Sequence, residues 1–268
     1  MSPTKMFVLT ETSEFMMSYV ILTRAGNCII VDGGRPEDIP LLREKVKGHP
    51  IKAWFLTHPH LDHITAFHEI VRTDDPDFQI EAVYYNFPSV EYAKSDDTDH
   101  PTATLEEFLS LLPKIADRAH IVHTGDILPV DEIRIEILYH FEEAYPFSYR
   151  SLNNASIAFR LDTEHTSVMF LGDLGPVGGD MLMELSMDKL KADYCQMAHH
   201  GHSGVSSDVY LQIDPKVCIW NAPAWLWEEP PTRFGDRIYG QKMTRYWMEK
   251  LGVTQHIITK DGTAEIDL

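Results

Sequence analysis

The sequence predicts a layered α/β fold, built as a single domain over residues 1–268, and three observations predict it. The chain starts strand-helix-strand-helix, with apolar runs of strand length alternating with segments of helical period. Its hydrophobic content of 44% is enough for a sizeable core at this length. The chemically distinctive residues are spread from position 58 to position 200, with no linker and no internal repeat of motif strength between them.

Residues 6–32 hold two or three strands, the clearest being Met17–Thr23 and Cys28–Asp32 around the turn Arg24-Ala25-Gly26-Asn27. Ile39–Val46 follows as an amphipathic helix. Ala53-Trp54-Phe55-Leu56 is a short buried strand bounded by Pro50 and Pro59. From Asp62 onward Ile64, Phe67, Ile70 and Val71 recur at helical spacing, so Asp62 and His63 open a helix. Ile80–Asn86 reads as a strand between two acidic runs, 74–77 and 95–99, that read as solvated loops. Thr104–Ala116 is a helix, with Thr104 at its cap and Glu107 completing a capping box. Ile133–Tyr139 alternates apolar with polar residues, as a half-buried strand does. Ser167–Leu171, Asp193–Met197 and Val217–Asn221 are apolar strands, and Met181–Leu190 is a Met-rich helix whose apolar face reads as core. Gln241–Leu251 forms the last helix. Gln255–Thr259 and Thr263–Leu268 then make a closing hairpin around Lys260-Asp261-Gly262.

The strongest chemical signal is Thr57-His58-Pro59-His60-Leu61-Asp62-His63, with four potential metal ligands in six residues. A strand-end turn holds His58 and His60 to one side, while the first turn of the helix offers Asp62 and His63 to the other. That arrangement suits two cations a few ångströms apart. Imidazole and carboxylate together favour zinc, manganese or iron over calcium. A second signal, Ala198-His199-His200-Gly201-His202-Ser203-Gly204, puts two adjacent imidazoles at a strand end before glycines. At least one of His199 and His200 is expected to bind metal. The other could donate a proton or bind an oxyanion, and sequence does not say which is which. Asp62, His199 and His200 are thus the catalytic candidates. His120, His123 and His140 lie in or beside strand-like segments, where a lone histidine is more often structural, and are left out of the site. Ser156, Ser203 and Ser206 are candidate supporting donors, although serine in a turn is usually only a turn residue.

From Ala222 to Tyr239 the composition changes, with Trp225, Trp227, Phe234, three prolines, Arg233 and Arg237. This insertion, about 222–240, reads either as a packed surface loop or as a substrate lid. In the lid reading the rings serve an apolar or planar substrate, and the arginines serve an anionic one.

His58-x-His60-x-Asp62-His63 resembles the signature of the metallo-β-lactamase superfamily. That likeness implies a four-layer αββα sandwich with mixed sheets, and one or two metals that make a hydroxide nucleophile. Val31-Asp32-Gly33-Gly34 resembles the superfamily's first motif, whose Asp braces the metal loop without binding metal. Gly172-Asp173 resembles the motif whose Asp bridges both metals, a job suited to a group with two oxygens. The combination of Asn153-Asn154-x-Ser156, Gly172-Asp173 and Ala192-Asp193-x5-His199-His200-Gly201 is similar, more narrowly, to the metallo-β-lactamase-like domain of the ComEC/Rec2 competence proteins and to related free-standing bacterial hydrolases. This likeness covers most of residues 17–220. Asn153 or Asn154 occupies the region where many members place a histidine on the first metal, so that site keeps His58, His60 and Asp173 and should bind more weakly. The competence domain's Tyr-Gly-His-Pro element is here Tyr239-Gly240-Gln241-Lys242. The implied assignment gives metal one His58 and His60, helped by an Asn carbonyl or water. Metal two takes Asp62, His63 and one of His199 and His200, with Asp173 bridging.

A net charge of −18, or about −14 with two divalent cations bound, is far from the profile of a nucleic-acid binder. A small-molecule substrate is expected. Cys28, Cys195 and Cys218 all sit in apolar strands without a Cys-x-x-Cys, as buried thiols of a reducing compartment do. The start, Met1–Met6, lacks the features of a signal peptide, and no apolar run is long enough to span a membrane. The chain therefore reads as cytoplasmic. The leading functional reading is a dinuclear metallohydrolase of a phosphoester or phosphodiester. The alternatives are hydrolysis of a lactone, thioester or β-lactam on the same centre, and a non-catalytic metal-binding sensor or interaction module. Substrate, native metal and oligomeric state are not encoded legibly.

Overall fold

The computed structural model of the chain describes residues 3–94, 102–143, 151–228 and 240–268. In chain order the first half contains β1 (Lys5–Val8), β2 (Ser18–Leu22), β3 (Cys28–Asp32), α1 (Ile39–Val46), β4 (Ile51–Phe55), α2 (Leu61–Thr73), β5 (Val83–Tyr85), α3 (Val90–Lys94), α4 (Ala103–Ile115) and β6 (Ala119–Ile121). The second half contains β7 (Ile127–Val130), β8 (Ile133–Tyr139), α5 (Ser151–Asn154), β9 (Ala158–Asp162), β10 (Ser167–Phe170), α6 (Pro176–Ser186), β11 (Tyr194–Gln196), α7 (Ser207–Ile213), β12 (Val217–Trp220), α8 (Ala224–Trp227), α9 (Gln241–Lys250), β13 (Gln255–Ile258) and β14 (Ala264–Asp267).

The strands form two mixed seven-stranded sheets, ordered β14-β1-β2-β3-β4-β5-β6 and β13-β12-β11-β10-β9-β8-β7. In the first sheet the pairs from β14 to β3 are antiparallel and those from β3 to β6 parallel. The second sheet repeats the plan, antiparallel from β7 to β10 and parallel from β10 to β13. The two halves therefore share a topology that the sequence does not show as a repeat.

Hydrophobic packing explains the layering. One apolar cluster lies between the sheets, where Tyr84, Phe55, Phe159, Phe170 and Tyr19 form a continuous aromatic column with ring centroids 4.9–5.0 Å apart. A second cluster covers the outer face of the first sheet with α1, α2 and α4, and a third covers the second sheet with α6, α7 and α9. Continuous burial along β3 and β12 follows, because each strand has a packed face on both sides. This is the four-layer αββα sandwich.

Three local expectations are corrected. The closing hairpin does not form: β13 pairs with β12 and β14 pairs with β1, so Lys260-Asp261-Gly262 carries the chain from one sheet to the other. Strand pattern and turn composition are the same in both cases, and only the tertiary partners differ. The N-cap of α4 is Thr102, without the expected side-chain cap bond, and Thr104 lies inside the helix. The Met-rich helix begins earlier than expected, at Pro176, and ends at Ser186 before a single 3₁₀ turn.

Phe159 is fully buried at the middle of the aromatic column. Phe159→Ala leaves a cavity between the sheets and should lower unfolding stability by about 3–5 kcal/mol, read from urea denaturation with the m-value unchanged.

Candidate metal centre

β3, β4, β10 and β11 all end at one rim of the sandwich, beside the positions where each sheet changes from antiparallel to parallel pairing. Open parallel sheets gather ligands at the carboxyl ends of their strands, and each strand here releases a loop carrying polar side chains. The close approach of the two halves here is permitted by Gly172, in the left-handed region at φ 55°. A Cβ there would meet the Ser156 Cβ at 2.9 Å and the Thr57 Cβ at 3.1 Å.

The first half contributes through Asp32, at the end of β3 and fully buried. Its Oδ1 accepts from the Thr57 N–H at 2.7 Å, and its Oδ2 accepts from the Thr57 hydroxyl at 2.8 Å and from His63 Nδ1 at 2.7 Å. Because Thr57 donates to Asp32, its oxygen is free to accept from His58 Nδ1, 3.2 Å away. His60 is the N-cap of α2, and Asp62 and His63 lie in its first turn. That turn is docked on the glycine loop by Gly34 N–H to His63 O at 3.1 Å and Ala66 N–H to Gly34 O at 3.0 Å.

The second half supplies Asp173 and the paired histidines. The Asp173 N–H donates to Ser156 Oγ at 2.9 Å, which fixes the carboxylate's direction. His199 and His200 both adopt left-handed backbone, with φ 51° and 54°, and Gly201 continues at 86°. Such a run costs roughly 1–2 kcal/mol per non-glycine residue and persists only where surroundings over-determine it. The anchors are His199 N–H to Gly172 O at 3.1 Å, Gln241 Nε2–H to His200 O at 2.5 Å, and His200 Nδ1 to Asn221 O at 2.9 Å. Asn221 is held in turn by the Tyr19 hydroxyl at 2.5 Å.

The result is a convergence of donors on Asp173. Its Oδ2 stands 3.7 Å from His58 Nε2, 3.3 Å from His63 Nε2, 3.5 Å from His200 Nε2 and 4.0 Å from His199 Nε2. Asp62 Oδ2 lies 3.5 Å from His63 Nε2 and 3.1 Å from His200 Nε2. The donor atoms of Asp62, His63, Asp173 and His200 all fall within 4.8 Å of one another, as do those of His58, His60 and Asp173. Ligands about 2.1 Å from a cation stand about 3.4 Å apart on a tetrahedron, so these separations fit first-row divalent ions.

The hydrogen bonding fits as well. His58, His63 and His200 each commit Nδ1 to a partner, leaving Nε2 turned inward. Among the described residues His58 Nε2, His63 Nε2 and Asp173 Oδ1 are buried without a hydrogen bond. Burial and the neighbouring His63 and His60 push the His58 imidazole well below its usual range, so it is neutral. Burial also opposes charge on His200, but Asp173 and Asp62 outweigh it and lift that imidazole to about 9. Burial works against the Asp62 carboxylate too, and His63 and His200 overcome it, taking the group down to about 2.

The pair of asparagines separates. Asn154 Oδ1 accepts from Gly175 N–H at 3.1 Å and Gly178 N–H at 2.9 Å, so its carbonyl serves the start of α6, which corrects its candidacy as a metal donor. Asn153 is buried with neither amide atom hydrogen-bonded among the described residues. Trp227, half-buried, packs on Trp220 at 5.3 Å, with the Arg245 guanidinium of α9 4.2 Å from its ring. Trp225, also half-buried, meets Phe15 at 5.7 Å. Arg233 and Arg237 lie outside the described residues. Ser203 is buried, and Ser206 is the N-cap residue of α7.

Sequence reasoning missed Thr57, Asn221, Gln241 and Phe15. Gln241 had a signal, as the altered position of the Tyr-Gly element, and it holds the backbone of His200. Asn221 acts through its main-chain oxygen, which no side-chain pattern reveals.

Among curated proteins the chain is similar to ComE operon protein 3 of Bacillus subtilis strain 168. The two are 29% identical over 102 residues, which is 38% of this chain and only 12% of that protein. Among solved structures it is similar to the metallo-β-lactamase fold protein YhfI from Bacillus subtilis, with a TM-score of 0.56 at 13% identity, over 98% of this chain and 100% of that one. CmlA, a diiron β-hydroxylase from Streptomyces venezuelae, superposes with a TM-score of 0.57 at 11% identity, over 100% of this chain and 55% of that one. A diphosphatase of the PhnP family gives 0.53 at 14% identity, over 98% of each chain. At such identities these structures establish the shared fold alone. The family model of the metallo-β-lactamase superfamily matches residues 15–217, which include each of the histidines and aspartates around Asp173, and the chain belongs to that superfamily.

Proposed function

We propose that the chain is a two-metal hydrolase of small phosphoesters or phosphodiesters, with zinc or manganese as the resident ions and iron as the third candidate. One observation carries this reading: a single carboxylate oxygen of Asp173 faces two separate donor sets, within 4.0 Å of four imidazole nitrogens. In this assignment metal one would be held by His58, His60 and Asp173, with Asn153 as the further donor. Metal two would be held by Asp62, His63, His200 and Asp173. When bound, two divalent cations would lower the pKa of water toward about 7 and offset charge on both the attacking and the leaving oxygen. Asp32 and Thr57 keep His58 and His63 aimed, and Asn221 with Gln241 does the same for His200. His199 is left at the rim to donate an N–H to a substrate oxygen.

A small substrate agrees with the net charge of −18, which repels nucleic acid. We assign the chain to the cytoplasm on its three buried free thiols. No helix among the described residues is long and apolar enough to cross a membrane. Opening of a lactone, thioester or β-lactam on the same centre is the second reading, favoured by the aromatic rings beside His200.

Chromogenic phosphodiester, phosphomonoester, lactone and β-lactam substrates, offered with added manganese or zinc, test the proposal. The phosphodiester should be turned over fastest, and Asp173→Ala should fall to the background rate while losing metal from both sites. Fastest turnover of the lactone or β-lactam would select the second reading.

Metal uptake should also depend on pH with a defined sign. A raised pKa means that the metal-free His200 holds a proton at neutral pH, which a metal must displace. Affinity measured against a chromogenic chelator should therefore rise with pH between neutrality and about pH 9.

A further inference from the structure

The segment between β1 and β2, residues 9–17, crosses the same rim as the metal donors and is fastened there at several points. Asp38, fully buried, accepts on Oδ1 from the Thr12 N–H at 2.9 Å and the Thr12 hydroxyl at 2.7 Å, and on Oδ2 from the Arg35 N–H at 2.9 Å. The Arg35 side chain pairs with Glu14 at 3.1 Å and donates Nε–H to Phe15 O at 3.4 Å. Its guanidinium stands 5.8 Å from the Phe15 ring centre. At the far end, Met17 N–H donates to Asp62 O at 3.1 Å, so the segment is tied to the backbone of a proposed ligand.

What this bracing presents is one aromatic ring. Phe15 meets His200 edge to face at 4.9 Å and Trp225 at 5.7 Å, and both Phe15 and Trp225 stay only half-buried. Leu61, between His60 and Asp62, is 40% exposed. A single exposed apolar side chain needs no explanation. A phenylalanine fixed by a buried carboxylate and an arginine, beside a metal-donor histidine and a second half-exposed ring, is different. Half-open rings at a polar rim lose little mobility on binding and gain contact area from a flat apolar partner. The cations and Asp173 would take the reacting group, and these rings would take what is attached to it.

We infer that Phe15 and Trp225 form an aryl-binding subsite on the His200 side of the centre, so that the substrate carries a planar or aromatic group next to its reacting phosphoryl oxygen. This rests on the functional reading above only for the identity of the reacting group. Phe15 is a specificity-determining residue and takes no part in bond breaking.

Calorimetric binding of phenylphosphonate and methylphosphonate to the metal-loaded protein tests the subsite without any turnover. The wild type should bind phenylphosphonate about five- to tenfold more tightly than methylphosphonate. Phe15→Ala and Trp225→Ala should each shrink that ratio toward one, with methylphosphonate affinity and metal content unchanged. Phe15→Tyr, which keeps the ring, should keep the preference, whereas a purely structural role in shielding His200 would make Phe15→Ala lower the affinity for both phosphonates alike. Equal affinity for the two phosphonates in the wild type, failure to bind either, or a preference that survives both alanine variants would overturn the inference. If the preference behaves as stated while no phosphoester is hydrolysed, the assigned reaction fails and the aryl subsite stands.

Discussion

The buried carboxylate of Asp32 is the interaction on which the centre depends. It accepts three hydrogen bonds, two from Thr57 and one from His63, and its main-chain oxygen accepts a fourth from Trp54 Nε1 at 2.5 Å. Burial raises its pKa and the adjacent His63 opposes that rise. An uncompensated carboxylate at zero exposure would be expensive, and three donors directed at it offset the cost. The consequence spreads along the chain. Thr57 is locked and so orients His58, while His63 is locked and so orients the first turn of α2. Asp32, itself at φ 60°, can reach them only because Gly33 and Gly34 continue the turn, and a Cβ on Gly34 would fall 2.8 Å from Asp38 Oδ2. One polar cluster therefore sets both donor sets of the first half and the start of the segment that carries Phe15.

The second half solves the same problem with different chemistry. β10 occupies in its sheet the place that β3 occupies in the first, and β11 the place of β4. Asp173 follows β10 as Asp32 ends β3, yet one faces the donors and the other braces them. Where the first half uses side-chain hydrogen bonds, the second uses backbone strain, with consecutive left-handed histidines held by Gly172, Asn221 and Gln241. Strain of this kind points His200 at Asp62 and Asp173 while leaving His199 13% exposed at the rim.

How much of this was legible in the sequence follows from how local each feature is. His58, His60, Asp62 and His63 fall in one strand-turn-helix, so spacing alone brings them together. The layered α/β class follows from alternating periodicities, and the αββα arrangement from the likeness those motifs carry. That His200 is the one of the two histidines beside Asp62 follows from the left-handed turn, which residue type does not announce in histidine. Separating Asn153 from Asn154 needed the start of α6, twenty residues on. The closing strands misled because a turn of suitable composition joins two strands whether they pair or part. Trp225 and Trp227 share one short helix and both stay half-buried, and only tertiary packing gives the first Phe15 and the second Trp220 as a neighbour. Phe15 was invisible because the ring lies more than 180 residues from His200 in the chain.

In the proposed centre one carboxylate, Asp173, joins two cation sites at this rim. Crystals of protein purified without chelator, with diffraction recorded above and below the absorption edge of the resident metal, measure it directly. Two anomalous peaks about 3.5–4 Å apart are expected, both in contact with Asp173, one beside His58 and His60 and the other beside Asp62, His63 and His200. A single peak, or two peaks of which only one touches Asp173, would contradict it.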